Sequence, residues 1–393
     1  METHTERPAA APPTRAVEVG KLERELAAMW LPANGEGKPA EAGTSSDHGI
    51  TRACVLNLIV YATPHEDAKA IDALLDEVAQ QHPSRVLLLL ADEKANAPRL
   101  EAYVSARCQV GEGGGAAKQV CGEQVTIEAG GKSLETVGSA VEPLLVPDVP
   151  VFLWWKDIPH YEDKLFNRLV EMSDRVVLDS LAFDHPHEDL LRLAQIIRSH
   201  PQFMLVSDLN WGRLTSWRML IASFWDVPDY RPRLDQIERV VVEYDPPDVA
   251  QQEIAAQGLL IVGWLVSGLG WEIVSTECQR DAEVCRFLLR AADDRRIVVE
   301  LRPLAERKER DGLIASLTLH AGDAEFYVAV NEAGDKLETS ASIGAQHTVG
   351  RVLAYEAKTE GQRLSRELGW LTRDAVYERA VLAAAQLLEA ARQ

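Results

Sequence analysis

The stretch ACVLNLIVYATPHEDAKAIDALLDEVAQQHPSRVLLLLA, Ala53 to Ala91, decides the fold class. It opens with an apolar run, Ala53–Tyr61, and closes with another, Arg85–Ala91. Unbroken apolar runs of this length fit strands buried on both faces. Between them Ala68, Ile71, Leu74 and Val78 recur at helical spacing. Thr63 with Glu66 makes a capping-box pattern, and Pro64 suits the first helical position. A strand, a helix and a second strand in that order form a crossover unit whose strands run parallel.

The pattern continues down the chain. VFLWW (Val151–Trp155), RVVLD (Arg175–Asp179) and FMLVS (Phe203–Ser207) read as further strands. Leu165, Leu169 and Met172 mark one helix, and Leu190, Leu193 and Ile197 another. Ala102 to Ile127 reads as a hairpin around the loop GEGGGAAK, an antiparallel edge of the same sheet. The expectation is an α/β domain with a largely parallel sheet and flanking helices.

Beyond about Gln236 the pattern changes. RVVVEYDPPD (Arg239–Asp248) is a strand ending in a turn, and a helix over Ile254–Leu269 follows. CRFLLRA, RIVVEL, LIASLTLH, EFYVAV and KLETSA then alternate with the period of half-buried strands. In LIASLTLH, Leu313, Ala315, Leu317 and Leu319 are expected on one face, and Ile314, Ser316, Thr318 and His320 on the other. Ala321-Gly322-Asp323 and Asn331-Glu332-Ala333-Gly334 read as hairpin turns. A final helix carries Tyr377, Val381, Ala384 and Leu388 on one stripe. The expectation here is a smaller α+β domain with a mostly antiparallel sheet.

Three segments result: 1–50, 51–236 and 237–393. The first is expected to be a disordered extension, rich in Pro, Ala and Thr over 1–16. It carries a short amphipathic helix (Val19, Leu22, Leu26, Met29, with Trp30 alongside) and a linker over Leu31–Gly49. Such a helix must bury its stripe against its own body or a partner, and its own body is the plainer choice.

Composition excludes several roles. A formal net charge of −20 repels phosphate backbones, so nucleic acid is not an expected partner. Gln257 to Trp271 is the most apolar stretch, but it is shorter than a membrane span and is punctuated by glycines. No apolar signal core opens the chain, which suggests a cytoplasmic protein. Cys54, Cys108, Cys121, Cys278 and Cys285 form no CxxC pair, and their odd number argues against a disulfide framework.

Chemistry-bearing motifs are sparse. The glycines at 111 and 113–115 precede no helix with a Lys-Ser/Thr pair. Gly131-Lys132-Ser133 has Thr126 where a P-loop needs Gly, so it reads as a turn into a helix. No GxGxxG opens the first strand–helix unit. His185-Pro186-His187-Glu188-Asp189 reads as a helix start rather than a metal site. Neither a nucleophile elbow nor a Cys–His pair is apparent. No catalytic residue, metal or cofactor is therefore expected.

The tryptophans are clustered: five of the nine fall between Trp154 and Trp225. In a parallel sheet the carboxyl edge would carry Trp155, Lys156, Asp157, Asp179, Ser180, Asp208, Asn210 and Trp211, with Arg213 and Arg218 just beyond. Ligands bind at that edge in such sheets, and exposed Trp and Arg are enriched in binding hot spots. Trp155, Lys156, Asp157, Asp208, Asn210, Trp211 and Arg213 are thus a candidate partner-binding rim. Packing is the competing role, and Trp217, in line with Leu214, Ile221 and Phe224, is expected in the core.

HPSRVLLLL (His82–Leu90), QVCGEQVTI (Gln119–Ile127), LVPDVPVFLWW (Leu145–Trp155), DRVVLDS (Asp174–Ser180), SDLNWGRLTSWR (Ser207–Arg218), QGLLIVGWLVSGLGW and VGRVLAYE (Val349–Glu356) together resemble the OpcA family. The resemblance runs from about Thr51 to the C-terminus. It implies a non-catalytic protein that promotes assembly of NADP-dependent glucose-6-phosphate dehydrogenase and activates it, in the oxidative pentose phosphate pathway. It also implies redox input through thiols, without assigning that input to any cysteine here. The alternative is an α/β enzyme or sensor that binds a sugar phosphate or nucleotide at the carboxyl edge of the sheet.

Overall fold

A computed structural model describes residues 18–30, 50–63, 68–110, 119–160, 162–199, 205–277, 284–305, 311–355 and 358–392. Several expectations lie outside these residues: the tail 1–16, the linker 31–49, the capping residues Pro64 and Glu66, the loop 111–118, Phe203–Met204 and Cys278.

The first sheet has eight strands: β1 (Ile50–Arg52), β2 (Leu56–Ala62), β3 (Ser84–Asp92), β4 (Arg99–Val110), β5 (Gln119–Gly130), β6 (Val151–Trp155), β7 (Arg175–Leu178) and β8 (Leu205–Asp208). Their order is β1-β5-β3-β2-β6-β7-β8, with β4 beside β5. β1 and β3 pair with β5, β2 with β3, and β7 with β8, all in parallel. β4 runs antiparallel along the whole of β5, the hairpin edge expected from sequence. Every residue of β2 is buried, as its unbroken apolar run demands.

The chain divides into two compact units: Met1–Leu153 with Asn167–Met172, and Trp154–Phe166 with Ser173–Gln393. The sequence expectation placed a boundary near Gln236, with a division near Lys156 to Lys164 as its alternative. In the second unit the C-terminal helix packs on helices from both sides of residue 236, and this joins β7 and β8 to the elements beyond that position.

In the first unit, α1 (Val19–Met29) docks on its own body and buries Leu22 and Leu26. Glu123 of β5 organises this contact. It accepts from Trp30 Nε1 at 2.6 Å, pairs with Arg52 at 2.7 Å and accepts from Arg85 Nε at 2.9 Å. α2 (Ala68–Gln81) buries Ile71, Leu75 and Val78, whereas Leu74 is half-buried. The spacing i, i+4, i+7 therefore runs through Leu75, one position on from the expected Leu74. A turn after β5 leads into α3 (Leu134–Val141), as expected for Gly131-Lys132-Ser133.

Cys108 and Cys121 stand opposite each other in the β4–β5 ladder and form a disulfide. This corrects the sequence expectation of no disulfide. An odd count does not forbid pairing, Cys285 is disulfide-bonded as well, and the Cys108–Cys121 pairing depends on hairpin register that residue spacing alone conceals.

α4 (Lys164–Glu171) follows β6. The second unit then holds α5 (Pro186–Ser199), α6 (Leu209–Arg213) and α7 (Thr215–Ser223), with β7 and β8. It continues with β9 (Ile237–Tyr244), α8 (Ala256–Leu269) and seven strands: β10 (Glu272–Glu277), β11 (Cys285–Arg290), β12 (Arg296–Pro303), β13 (Ile314–Ala321), β14 (Ala324–Val330), β15 (Lys336–Ile343) and β16 (Gln346–Ala354). α9 (Glu360–Leu368) and α10 (Ala375–Ala391) close it. The second sheet runs β10-β11-β12-β9-β13-β14-β15-β16. Among the described residues only β12–β9 is parallel there, and the other pairings are antiparallel.

In β13 the expected face assignment fails near its start. A register shift between Ile314 and Ser316 resets the alternation, so Ile314 is buried and Ala315 only half-buried. Leu317 and Leu319 are buried as expected. Gly322, in the turn to β14, adopts φ +62, which favours glycine.

Among the described residues, no helix is long and apolar enough to cross a membrane. α8 is instead a core helix. A Cβ placed on its Gly263 would collide with the Ala380 carbonyl of α10 and lie 3.0 Å from the Ala384 amide. Backbone cannot yield as a flexible side chain can. Gly263→Ala is therefore expected to cost at least about 2 kcal/mol by overpacking. Urea unfolding of the variant checks this, and an unchanged midpoint would contradict it.

Candidate carboxyl-edge site

Asp179 directly follows β7 and Asp208 ends β8, and each carboxylate has a distinct task. Asp208 is buried at the N-cap of α6, where Oδ1 accepts from the amides of Asn210 at 2.8 Å and Ser180 at 3.0 Å. Its Oδ2 accepts from the Tyr377 hydroxyl of α10 at 3.2 Å. The network extends inward. Asn210 Nδ2 donates to Ser180 Oγ at 3.0 Å, and Gln257 Nε2 of α8 donates to Asn210 Oδ1 at 2.9 Å. Gln257 Oε1 accepts from the Ile314 amide at 3.0 Å. One chain of hydrogen bonds thus joins the turn after β7 to β8, α6, α8, α10 and β13.

Asp179 faces outward and takes the Arg213 guanidinium with two bonds of 2.7 Å. A bidentate pair of this kind fixes geometry as well as charge. Burial, then the nearby Asp179 charge, pushes the Asp208 carboxyl up to about 6 despite its hydrogen bonds. Burial also raises the Tyr377 hydroxyl, and the Asp208 charge adds to this. A carboxyl held near neutrality can mark a general acid or base. Asp208, however, is 1% exposed, and its carboxylate is already bonded to Ser180, Asn210 and Tyr377.

The candidate rim residues separate by burial. Trp155 is 2% and Trp211 4% exposed, and Asp208 and Asn210 are buried with them. The sequence expectation of exposed tryptophans is corrected. Trp155 packs edge-on against Phe166 at 4.9 Å, and Trp211 donates to Asp374 Oδ2 at 2.9 Å. Trp217 is fully buried, as expected. Lys156 lies 4.3 Å over the Trp154 ring and pairs with Glu360 at 2.9 Å. Asp157 is exposed and Arg213 half-buried. The other motifs do structural work. The His185 amide donates to Asp189 Oδ2 at 3.1 Å at the start of α5, and His187 Nε2 accepts from the Ile254 amide at 2.7 Å.

Sequence reasoning missed a cationic cleft beside this network. One lobe, about 280 Å³, is lined by Arg175, Arg218, Arg366 and Arg373 with Glu367 and Asp374. A second lobe, about 300 Å³, shares Gly212, Thr215, Arg366 and Glu367 and adds Arg213, Lys358 and Arg363. Arg218 stacks on Trp211 with its guanidinium carbon 3.5 Å from the ring centre. Burial lowers its pKa to about 10 and also lowers those of Arg175 and Arg363. Burial conversely raises the pKa of Glu367. The i, i+3 spacing of Arg363 and Arg366 on α9 was the available signal, but a charged helical face ordinarily reads as solvated.

The pH dependence of Asp208 follows from its shift. The protonated form is favoured on folding, so its stabilising effect is fullest below the ordinary value of 3.8 and is lost as pH rises through about 6. Asp208→Asn cannot ionise. Relative to the wild type it is expected to gain up to about 3 kcal/mol between about pH 4 and pH 7. Urea unfolding at both pH values tests this, and parallel pH profiles would contradict it.

Comparison with known proteins agrees with the sequence resemblance. Two family models match in succession: the glucose-6-phosphate dehydrogenase subunit N-terminal domain over 75–195 and the corresponding C-terminal domain over 204–381. Among curated proteins named OxPP cycle protein OpcA, that of Synechocystis sp. is 30% identical over 81% of this chain and 66% of its own length. Those of Nostoc punctiforme and Synechococcus elongatus are 31% and 30% identical, over 70% and 78% of this chain. The matches span 58% and 68% of those two relatives, so this chain corresponds to about two thirds or less of most of them. A 3-ketoreductase from Actinomadura kijaniata, solved with NADP, aligns at TM-score 0.48 and 11% identity over 86% of this chain and 97% of its own. A likeness that low carries no functional weight. The two consecutive family models and the three relatives show that the chain belongs to the OpcA family.

Proposed function

We propose that the chain is a non-catalytic, cytoplasmic assembly factor and allosteric activator of NADP-dependent glucose-6-phosphate dehydrogenase, acting in the oxidative pentose phosphate pathway. One observation carries this: two models described as subunit domains of that dehydrogenase match the chain in succession, over 75–195 and 204–381. The internal bonding of Asp179 and Asp208 supports it, because both carboxylates at the edge already have partners within the fold.

An activator must bind the active form of its partner better than the inactive form. About 1.4 kcal/mol of difference shifts that balance tenfold. An assembly factor works in the same way, by preferring the oligomer to its loose subunits. The proposed docking surface is the solvent-facing part of the rim, Lys156, Asp157 and Arg213. Trp155, Asp208, Asn210 and Trp211 form the buried frame that holds it in place.

Mixing the pure chain with the dehydrogenase is expected to raise its rate at limiting substrate and shift it toward the larger oligomer by light scattering. Asp157→Lys places the opposite charge on the rim without touching the core. It is expected to raise the concentration needed for half-activation at least about threefold, with an unchanged melting temperature. Full activation at the original concentration would remove Asp157 from the interface. No effect of the wild-type chain on rate or size would overturn the proposed function.

A further inference from the structure

The chain carries a net charge of −20, yet the cleft in its second unit concentrates positive charge. In the first lobe four guanidinium groups face two carboxylates. In the second, three guanidinium groups and a lysine face one. Bringing like charges together in a partly buried place is unfavourable unless something offsets it.

Internal partners offset only part of it. Arg213 is paired with Asp179, and Arg373 with Glu378. Arg363 and Arg366 form no ion pair among the described residues. Arg175 is 2% exposed and donates to Ser207 Oγ and, at 2.6 Å, to the Thr372 carbonyl, but its Nε has no hydrogen-bond partner among the described residues. Arg218 donates to neutral oxygens, Trp211 O and Thr215 Oγ1, both at 3.3 Å, and its Nε is likewise unsatisfied. Buried donors left without acceptors are costly, so each calls for an acceptor.

We infer that this cleft is a binding site for a phosphate-bearing small molecule. Forked guanidinium groups match phosphate oxygens bidentately and stay charged across physiological pH. Two joined lobes of about 280 and 300 Å³ suit a metabolite rather than a bare ion. Arg175 and Arg218 hold the phosphate in the inner lobe, with Arg218 kept in place by its stack on Trp211. Arg366 is shared by both lobes. Trp370, 57% exposed at the rim of the first lobe, offers an apolar face to the rest of the ligand. The inference does not rest on the dehydrogenase as partner, and its test contains no dehydrogenase.

The test is isothermal titration of the full chain, at low salt, with inorganic phosphate, glucose 6-phosphate and ATP in separate arms. At least one organic phosphate is expected to bind with a dissociation constant below about 1 mM and at least tenfold more tightly than inorganic phosphate. Arg366→Gln, at an exposed position with no ion pair to lose among the described residues, is expected to weaken that binding at least tenfold while leaving the melting temperature unchanged. Arg218→Gln should weaken it as well, and circular dichroism reports whether that part-buried variant folds. The arm that binds most tightly distinguishes a sugar phosphate from a nucleotide. Three outcomes would overturn the inference: no heat in any arm up to about 10 mM, binding unaffected by Arg366→Gln, or Arg366-dependent binding of a poly-glutamate peptide with none of the phosphates bound.

Discussion

A buried carboxyl at the end of a strand is the constraint on which the second unit depends. Asp208 caps α6, receives the Ser180 amide from the segment after β7 and holds the Tyr377 hydroxyl of α10. Desolvating such a group is expensive, and only a full set of donors makes it tolerable. The donors come from segments far apart in sequence, so the carboxyl edge of β7 and β8 is tied to α10. Asn210 and Gln257 carry the same requirement through to β13. This edge is where α/β sheets usually hold ligands, but here its innermost polar groups are spent on holding the fold together.

The chemistry available to the chain therefore lies just outside that frame. Asp179 is neutralised by Arg213, and Arg218 lies flat on Trp211. Beyond them the α9 helix brings Arg363 and Arg366 to the same cleft. Two of the segments that carry the family resemblance, Ser207–Arg218 and Val349–Glu356, both contribute lining residues there. A cationic cleft on a strongly acidic chain creates a sharp local potential, which attracts anions more selectively than a uniformly basic surface would.

Much of the fold was legible because its signals are local. The apolar runs at Leu56–Ala62 and Ser84–Asp92 flank an amphipathic helix, and burial on both faces leaves strands little other sequence to adopt. The hairpin of β4 and β5 and the stripe Tyr377, Val381, Ala384 and Leu388 were legible for the same reason. The misses are non-local. The Cys108–Cys121 bond needs cross-strand register, the phase of β13 needs its register shift, and the burial of Trp155 and Trp211 needs Phe166 and Asp374 as neighbours. The candidate site was half legible. Asp208, Asn210 and Arg213 do lie at the carboxyl edge, but the role of Asp208 and Asn210 as a buried frame depends on Tyr377 and Gln257, more than 40 residues away. The arginines of α9 were invisible as a site, since only the tertiary fold brings them against Arg175 and Arg218.

The role of the carboxyl edge as a structural frame is tested most directly by a double-mutant cycle on Asp208→Asn and Tyr377→Phe. Unfolding free energies of the two single variants and the double variant are measured at about pH 7. A shared buried network predicts a coupling of about 1–2 kcal/mol between the two sites. Additivity within about 0.3 kcal/mol would contradict the account.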